Sequence, residues 1–375
     1  MKINFFGDFC VNAATSLLFH EDLKSMLNSA SLNVVNFEAP VKVEGAKAIG
    51  KVGPCLSNEK EAPSFLEEIG FRVITMANNH AMDFGVNSLK LTKGLFENSM
   101  VVGAGTWQEA YQVKTIKVGG KILGFLGLTH NEFGVLSGEP DDSQQVGTAW
   151  MLHPCVDTLI TNAKDKVDFL FVLPHAGVEH EAFPLPELRM LYRHFIDVGA
   201  DGIFASHPHI PQGRETYCGK PIFYSLGNFC LDPVEKRARP FLKYGLMVSL
   251  ELDDSGIKLD VHFTKYDYEK REVSLTDDEM IVRHFEEATN VLKDNDEYLR
   301  RVNAYCDRFL REQSVAFARS GFFEYDTLKF VKQLVRTAIG KREKPNPNYL
   351  INMMRCESHR WAILRGLENK KNVRA

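Results

Sequence analysis

Gly202-Ile203-Phe204-Ala205-Ser206-His207-Pro208-His209 runs from a short apolar, strand-like stretch straight into two imidazoles. Residues i and i+2 of an extended chain share a face, and the proline between them stiffens the turn, so both rings can address one divalent cation. Working outward, the same arrangement recurs. Residues 3–6 form an apolar run that leads to Asp8, residues 32–37 lead to Glu38, and residues 72–77 lead to Asn78-Asn79-His80. Residues 167–174 lead to His175, with Glu179 four positions on. Ligands of α/β sheets collect beyond the carboxyl ends of the strands, so donors that follow strand after strand predict one site assembled from several strand ends.

Between these runs lie helix-like segments at 59–69, 85–97, 153–163 and 186–198, and a further strand at 122–128. Such alternation predicts a layered α/β architecture. Strand-like runs at 221–225, 244–252 and 257–266 follow without helices between them, the last two joined by the turn Asp253-Asp254-Ser255-Gly256, and predict a second sheet. From about residue 275 the pattern becomes helical and mixed in charge. Thr276-Asp277-Asp278-Glu279 reads as a capping box, and helical periodicity continues to 295, then over 297–312, 325–339 and 349–366. The expected division is a domain over 1–265 and a helical region over 266–375. No Gly/Ser-rich or Pro-rich connector separates the two, so the helices are expected to pack on the domain. Arg308, Arg311, Arg319, Lys329, Lys332 and Arg336 add positive charge there, read either as solvated helix faces or as a rim that steers an anionic substrate.

A formal net charge of −4 over 375 residues provides no global attraction to nucleic acid or to an anionic membrane. Seven cysteines without a C-x-x-C pair argue against a disulfide framework or a zinc ribbon and for reduced thiols. The run after Met1 is too short for a signal segment, and no apolar stretch is long enough to span a bilayer. The expectation is a soluble, cytoplasmic protein without direct membrane insertion.

Asp8 and Glu38 offer hard oxygen, Asn79 an amide oxygen, and His175, His207 and His209 borderline nitrogen. That mixture suits Mn²⁺, Fe²⁺ or Zn²⁺. Six donors exceed one tetrahedral ion and fit two divalent cations sharing a carboxylate, an arrangement suited to phosphoryl displacement. Taken singly, Asp8 reads as a turn former, Glu38 as a solvated loop acid and His175 as a core histidine; their common placement is what carries the reading. His20, His130, His153, His180, His194, His262, His284 and His359 have no comparable setting and are read as ordinary. Ser225 lacks the G-x-S-x-G elbow of a serine hydrolase. Lys47 and Lys51 after Glu38, Arg214 after the histidine pair, and Arg237 or Arg239 are candidate phosphate contacts.

The ordered set Gly7-Asp8, Asn36-Phe37-Glu38, Ala77-Asn78-Asn79-His80-Ala81-Met82-Asp83, His175-Ala176-Gly177-Val178-Glu179, His207-Pro208-His209 and Tyr224-Ser225-Leu226-Gly227-Asn228-Phe229 closely resembles the CapA family of capsule and poly-γ-glutamate biosynthesis, itself similar to the calcineurin-like metallophosphoesterases. The resemblance covers about residues 1–265. It implies a four-layer α-β-β-α sandwich with a dinuclear centre, in which Asp8 and His209 address one metal, Asn79, His175 and His207 the other, and Glu38 bridges. It implies catalysis by His80, oriented by Asp83, and substrate contacts at Glu179 and Asn228. It further implies an anionic small-molecule or polymer-intermediate substrate, with polymer-synthesis machinery as a partner. Two features depart from the wider phosphoesterase pattern: the usual Asp-x-His start reads Asp8-Phe9-Cys10, and the bridging position is Glu38 rather than Asp. Cys10 is read as a small buried strand residue rather than a soft ligand. The expected function is that of a metal-dependent phosphoesterase acting on a phosphorylated intermediate of capsule or surface-polymer biosynthesis; a non-catalytic assembly or export component of a polymer synthase, and a metal-dependent hydrolase of γ-glutamyl amide bonds, are the alternatives.

Overall fold

The computed structural model describes residues 1–51, 53–138, 145–232, 240–253, 256–318, 331, 335–336 and 347–373. Period-2 alternation of large apolar side chains builds two stacked sheets. The first has the order β2 (Leu18–Phe19), β18 (Glu272–Thr276), β17 (Gly256–Asp267), β16 (Tyr244–Asp253), β1 (Lys2–Cys10), β3 (Leu32–Phe37), β4 (Phe71–Thr75), β5 (Met100–Val102), with β15 (Asn228–Leu231) also paired to β1. The second has the order β13 (Arg214–Tyr217), β14 (Lys220–Phe223), β12 (Gly202–Phe204), β11 (Phe169–His175), β8 (Lys121–Thr129), β7 (Lys114–Val118). A small third sheet joins β6 (Ala104–Thr106), β10 (Val146–Ala149) and β9 (Val135–Leu136), so the polar stretch from Gly134 to Thr148 is structured at both ends.

Three apolar clusters fill the interfaces of four layers. Ile3, Phe5, Val34 and Val73 of the first sheet meet Phe125, Phe171, Phe204 and Phe223 of the second. The alternate residues Phe6, Val35 and Ile74 face outward against Leu23, Leu66 and Leu89 of helices Glu21–Ser29, Ala62–Glu68 and Gly85–Leu95. On the opposite side Leu126, Leu170, Val172 and Ile203 pack against Ile160, Leu188 and Tyr192 of helices Val156–Lys164 and Pro186–Asp197. The α-β-β-α sandwich expected from the sequence is therefore present, with each face of each strand assigned by its alternation.

Strand β17 crosses residue 265 and β18 follows it, so the first sheet continues to Thr276. Helix Glu279–Val291 then begins on Asp278, whose side chain accepts from the Met280 N–H. The capping box read at Thr276 is thereby corrected: the Thr276 hydroxyl accepts from Asp278 N instead. Helices Asn295–Ala318, Pro347–Arg355 and Glu357–Val373 follow. Segment 325–339 falls outside the described residues except at 331, 335 and 336. Described residues of the helical region enter the apolar clusters of the sandwich. Phe285 enters the inter-sheet core, and Tyr298, Val302, Tyr305, Cys306 and Ala362 enter the core over the second sheet, each large apolar side chain contributing about 1.5–3 kcal/mol by burial. Tyr298 donates to the Pro184 carbonyl at 3.0 Å, and Arg308 and Arg365 pair with Glu181 and Glu187 at 2.6 Å.

Candidate metal centre

The carboxyl ends of β1, β3, β4, β11 and β12 converge on one edge of the sandwich. Strand β1 sets the first donor. Up to Phe6 its neighbour is β16, antiparallel; from Asp8 onward the same side is taken by β15, parallel. Gly7 stands at this change of partner, where a Cβ would come within 1.8 Å of the Gly227 carbonyl oxygen. Only glycine lets the two backbones approach so closely. Asp8 follows, fully buried, its N–H on Gly227 O at 3.0 Å.

The remaining donors close around it. The Asn36 amide donates to Asp8 Oδ1 at 2.7 Å and lies 3.3 Å from His175 Nδ1. His209 Nδ1 is 3.2 Å from Asp8 Oδ2. His175 Nε2 is 3.0 Å from Asn79 Oδ1 and 3.1 Å from His207 Nδ1. Glu38 Oε1 stands centrally, 4.0 Å from His175 Nε2, 3.8 Å from His209 Nε2 and 3.9 Å from His80 Nε2. By shortest contact Asp8 lies with His209, and His175 with Asn79 and His207, while His175 Nδ1 also stands 3.9 Å from Asp8 Oδ1 and Glu38 Oε1 faces His175 and His209.

The electrostatics of this pocket leave a charge to be met. Both Glu38 carboxylate oxygens are buried without a hydrogen-bond partner among the described residues, and an uncompensated buried carboxylate costs several kcal/mol. Burial first, and then the charge of Asp8, push the Glu38 carboxyl well above its ordinary range. Burial holds His175 down to about 3 and His207 well below the usual imidazole range, so both rings are neutral and have lone pairs to offer. Orphaned carboxylate oxygens beside neutral imidazoles, with Asp8, Glu38 and His175 offering atoms within 4.8 Å of one another, fit a divalent cation. The backbone is strained at the same place: Ala39, His207 and His209 have φ of 72°, 101° and 60°, conformations that non-glycine residues hold only when the surroundings impose them. Asn58 is one such constraint, its amide donating to the carbonyls of Glu38 and Ala39.

His80 lies beside this group. Its Nδ1 is 2.6 Å from Asp83 Oδ2, while its Nε2 turns toward Glu38. Asp83 also accepts from the Leu56 N–H at 2.7 Å and from Lys51 Nζ at 2.5 Å. Lys51 was expected as a phosphate contact. Its ammonium is instead buried, 3.0 Å from His80 Nδ1 and paired with Asp83, because the loop after Glu38 folds back under the Asn-His turn. Arg214 departs from expectation in another way: it lies on β13 with its guanidinium over the Phe223 ring, an aromatic of the inter-sheet core. Lys47 is exposed on the loop that precedes Lys51. Glu179 is half-exposed at the rim beside His180, whose N–H is on the Pro208 carbonyl. Asn228 is buried, its amide oxygen 3.1 Å from His209 Nδ1. Cys10 is buried with its thiol toward the Ser57 carbonyl, and burial raises its pKa well above the usual range. Arg237 and Arg239 lie outside the described residues.

Two parts of the site escaped the sequence reading. Asn36 and Asn78 form a buttress, with the Asn78 amide donating to Asn36 Oδ1 at 3.1 Å and to the Phe37 carbonyl. His130, read as ordinary, stands edge-on to His207 with ring centroids 4.5 Å apart. The signal for it was present, since His130 also follows an apolar strand.

Comparisons with known proteins agree with the ordered motifs. The chain is 35% identical over 218 residues to the PGA biosynthesis protein CapA of Bacillus subtilis (strain 168), covering 54% of each chain. It is 32% identical over 230 residues to the capsule biosynthesis protein CapA of Bacillus anthracis, covering 59% of this chain and 54% of that one. The chain thus matches about half the length of these curated relatives. Among solved structures, TT1561 of Thermus thermophilus is similar with a TM-score of 0.39 at 9% identity, over 69% of this chain and 97% of that one. The family model described as bacterial capsule synthesis protein PGA_cap matches residues 11–233, more than half of the chain, and the chain belongs to that family.

Proposed function

We propose that this chain is a metal-dependent phosphoester hydrolase acting on an anionic intermediate of capsule or poly-γ-glutamate synthesis. The observation that carries the reading is the buried Glu38 carboxylate, both oxygens without a hydrogen-bond partner among the described residues, facing His80, His175 and His209 within 4.0 Å. The substrate field comes from the names of the two curated relatives. Asp8 and His209 would hold one divalent cation, Asn79, His175 and His207 the other, and Glu38 would serve both. When bound, such a pair makes a water more acidic and screens the charge of phosphoryl oxygens.

The chain's own groups supply the rest. His80 presents Nε2 to the donor cluster while Asp83 accepts from its Nδ1, which fixes the ring plane; in the doubly protonated form the Nε2–H can then be delivered to a leaving oxygen. Lys51 neutralises Asp83 and holds it in place. Asn228 steadies the His209 ring. Glu179, at the rim, repels a second anion unless a cationic group of the substrate meets it, a pattern suited to selecting among polymer intermediates.

The test is a substrate panel. Purified protein supplied with Mn²⁺, Fe²⁺ or Zn²⁺ should cleave phosphomonoesters or phosphodiesters, and chelation should abolish the activity. Cleavage of γ-glutamyl peptides with no turnover of any phosphoester would replace the phosphorus reading by the amide one, and no turnover of either class would favour an assembly role.

A further inference from the structure

A second cluster of ligating side chains adjoins the first. His130, Glu132 and Cys356 are all buried, and each offers a donor atom within 4.8 Å of the other two. His130 follows β8, and its N–H is on the His175 carbonyl at 3.2 Å, so the second sheet fixes its position. Cys356 comes from the far end of the chain. It is the residue between helices Pro347–Arg355 and Glu357–Val373, and its sulfur lies 3.5 Å from His130 Nδ1. The next residues fasten that junction to the same loop: Glu357 accepts from the Asn131 N–H at 2.7 Å and from the Trp150 indole at 2.5 Å, and Ser358 Oγ is 3.3 Å from His130 Nδ1.

We propose that His130, Glu132 and Cys356 form a third cation site, selective for a thiophilic divalent ion of the Zn²⁺ class, which fastens the C-terminal helices to the sandwich beside His207. The donor spacing supports this. Bond lengths of about 2.3 Å to sulfur and 2.0 Å to nitrogen at a tetrahedral angle place the two donors about 3.5 Å apart, and the Sγ to Nδ1 separation is 3.5 Å. Glu132 Oε1 is 2.9 Å from His130 Nε2, on the other side of the ring. That carboxylate holds the ring from the Nε2 side, as carboxylates beside metal-bound histidines commonly do; its donor atom lies within 4.8 Å of the other two, so a turn of the Glu132 side chain, rather than its second oxygen, would bring it to an ion on Nδ1. A thiolate and a carboxylate together carry two negative charges, which match the charge of a dication. His359, three residues beyond Cys356 and with its Nδ1 buried and unpartnered among the described residues, is a candidate for a fourth ligand. Sulfur distinguishes this site from the oxygen and nitrogen donors around Glu38, since thiolate favours zinc and disfavours Mg²⁺ or Mn²⁺. The cation would join residues 226 positions apart, tying the order of the C-terminal helices to the wall of the candidate metal centre.

Cobalt(II) absorption of the full-length protein tests the proposal, because a thiolate bound to cobalt gives an intense near-ultraviolet charge-transfer band that oxygen and nitrogen ligands do not. Cobalt-loaded wild type should show one thiolate's worth of this band. It should persist in Asp8→Asn/His209→Ala and in Cys10→Ala, and vanish in Cys356→Ala. His130→Gln should weaken cobalt binding at this band by about 10²-fold or more, at or beyond the upper end of the effect of losing an outer-shell partner. If Cys356→Ala does not fold, the His130→Gln titration decides. Absence of the band from folded wild type, or its survival without Cys356 or at undiminished affinity without His130, would overturn the site. Loss of hydrolytic activity in the Asp8/His209 variant with the band retained would separate this proposal from the hydrolase reading.

Discussion

Asp83→Asn should be among the most damaging single changes in this protein outside the donor set itself. Lys51 and Asp83 are 3% and 0% exposed and 2.5 Å apart, and removing one partner of a buried ion pair leaves the other charge uncompensated at about 3–5 kcal/mol. Asp83 also holds His80 Nδ1 at 2.6 Å and the Leu56 N–H at 2.7 Å, so the substitution both destabilises the fold and releases the imidazole. Lys51→Met leaves Asp83 with those two hydrogen bonds and should cost less, and the double variant Lys51→Met/Asp83→Asn should be more stable than the sum of its parts implies, with a coupling of about 1–3 kcal/mol. Urea unfolding of the four proteins measures the coupling. Kinetics on an aryl phosphate add a second readout: a pairing role for Lys51 predicts a fall in kcat, whereas a substrate-phosphate role predicts a rise in KM with kcat retained. Additive stabilities to within about 0.3 kcal/mol, together with a change confined to KM, would refute the buried pair and return Lys51 to the substrate.

Further outcomes follow from other parts of the molecule. Burial alone would raise Glu215, but hydrogen bonds from Arg193, Arg189 and Tyr224 outweigh it and hold its carboxyl at about 2 against an ordinary 4.5. Because the folded value is depressed, its contribution of about 3 kcal/mol is present above pH 4.5 and is lost as pH falls toward 2. Glu215→Gln should therefore lower the unfolding midpoint at about pH 7 and flatten the acid limb of the stability profile, and an unchanged acid limb would count against the cluster. Gly7→Ala places a Cβ against the Gly227 carbonyl, so it should reduce cation affinity through displacement of Asp8 and lower thermal stability; a variant with wild-type values of both would show that the backbone gives way freely. His80→Gln should retain bound metal and lower kcat by about 10² to 10⁴ on an ester with a poor leaving group, with a smaller loss on an activated aryl ester. Equal losses on both substrates would remove it as the proton donor.

How much of this was legible in the chain depends on where each group gets its position. Asp8, Glu38, Asn79, His175, His207 and His209 each end an apolar run, and a strand end in a layered α/β fold has a fixed place, so sequence order alone brought them to one edge. The alternation of Phe5 with Phe6 and of Val34 with Val35 likewise assigned the sheet faces. The settings of Lys51 and Arg214 were not legible, because a charged side chain takes its partner from the path of the chain around it, which brings Lys51 to Asp83 and Arg214 over the Phe223 ring. Asn36 has no signal of its own beside Glu38, and its side-chain amide links Asp8, His175 and Asn78 only once three strands lie side by side. Cys356 has no local signal: it reaches His130 across 226 residues, through helices whose periodicity says that they pack but not against which strand end.

Titration calorimetry of Mn²⁺ into chelator-treated protein tests the central claim most directly, because Mn²⁺ seeks oxygen and nitrogen donors and avoids thiolate. The account predicts two Mn²⁺ per chain in wild type, and in folded Glu38→Gln a loss of one site or a weakening of both by at least about tenfold, since the shared carboxylate loses its charge. Absence of Mn²⁺ binding to folded wild type, or binding unchanged in Glu38→Gln, would contradict it.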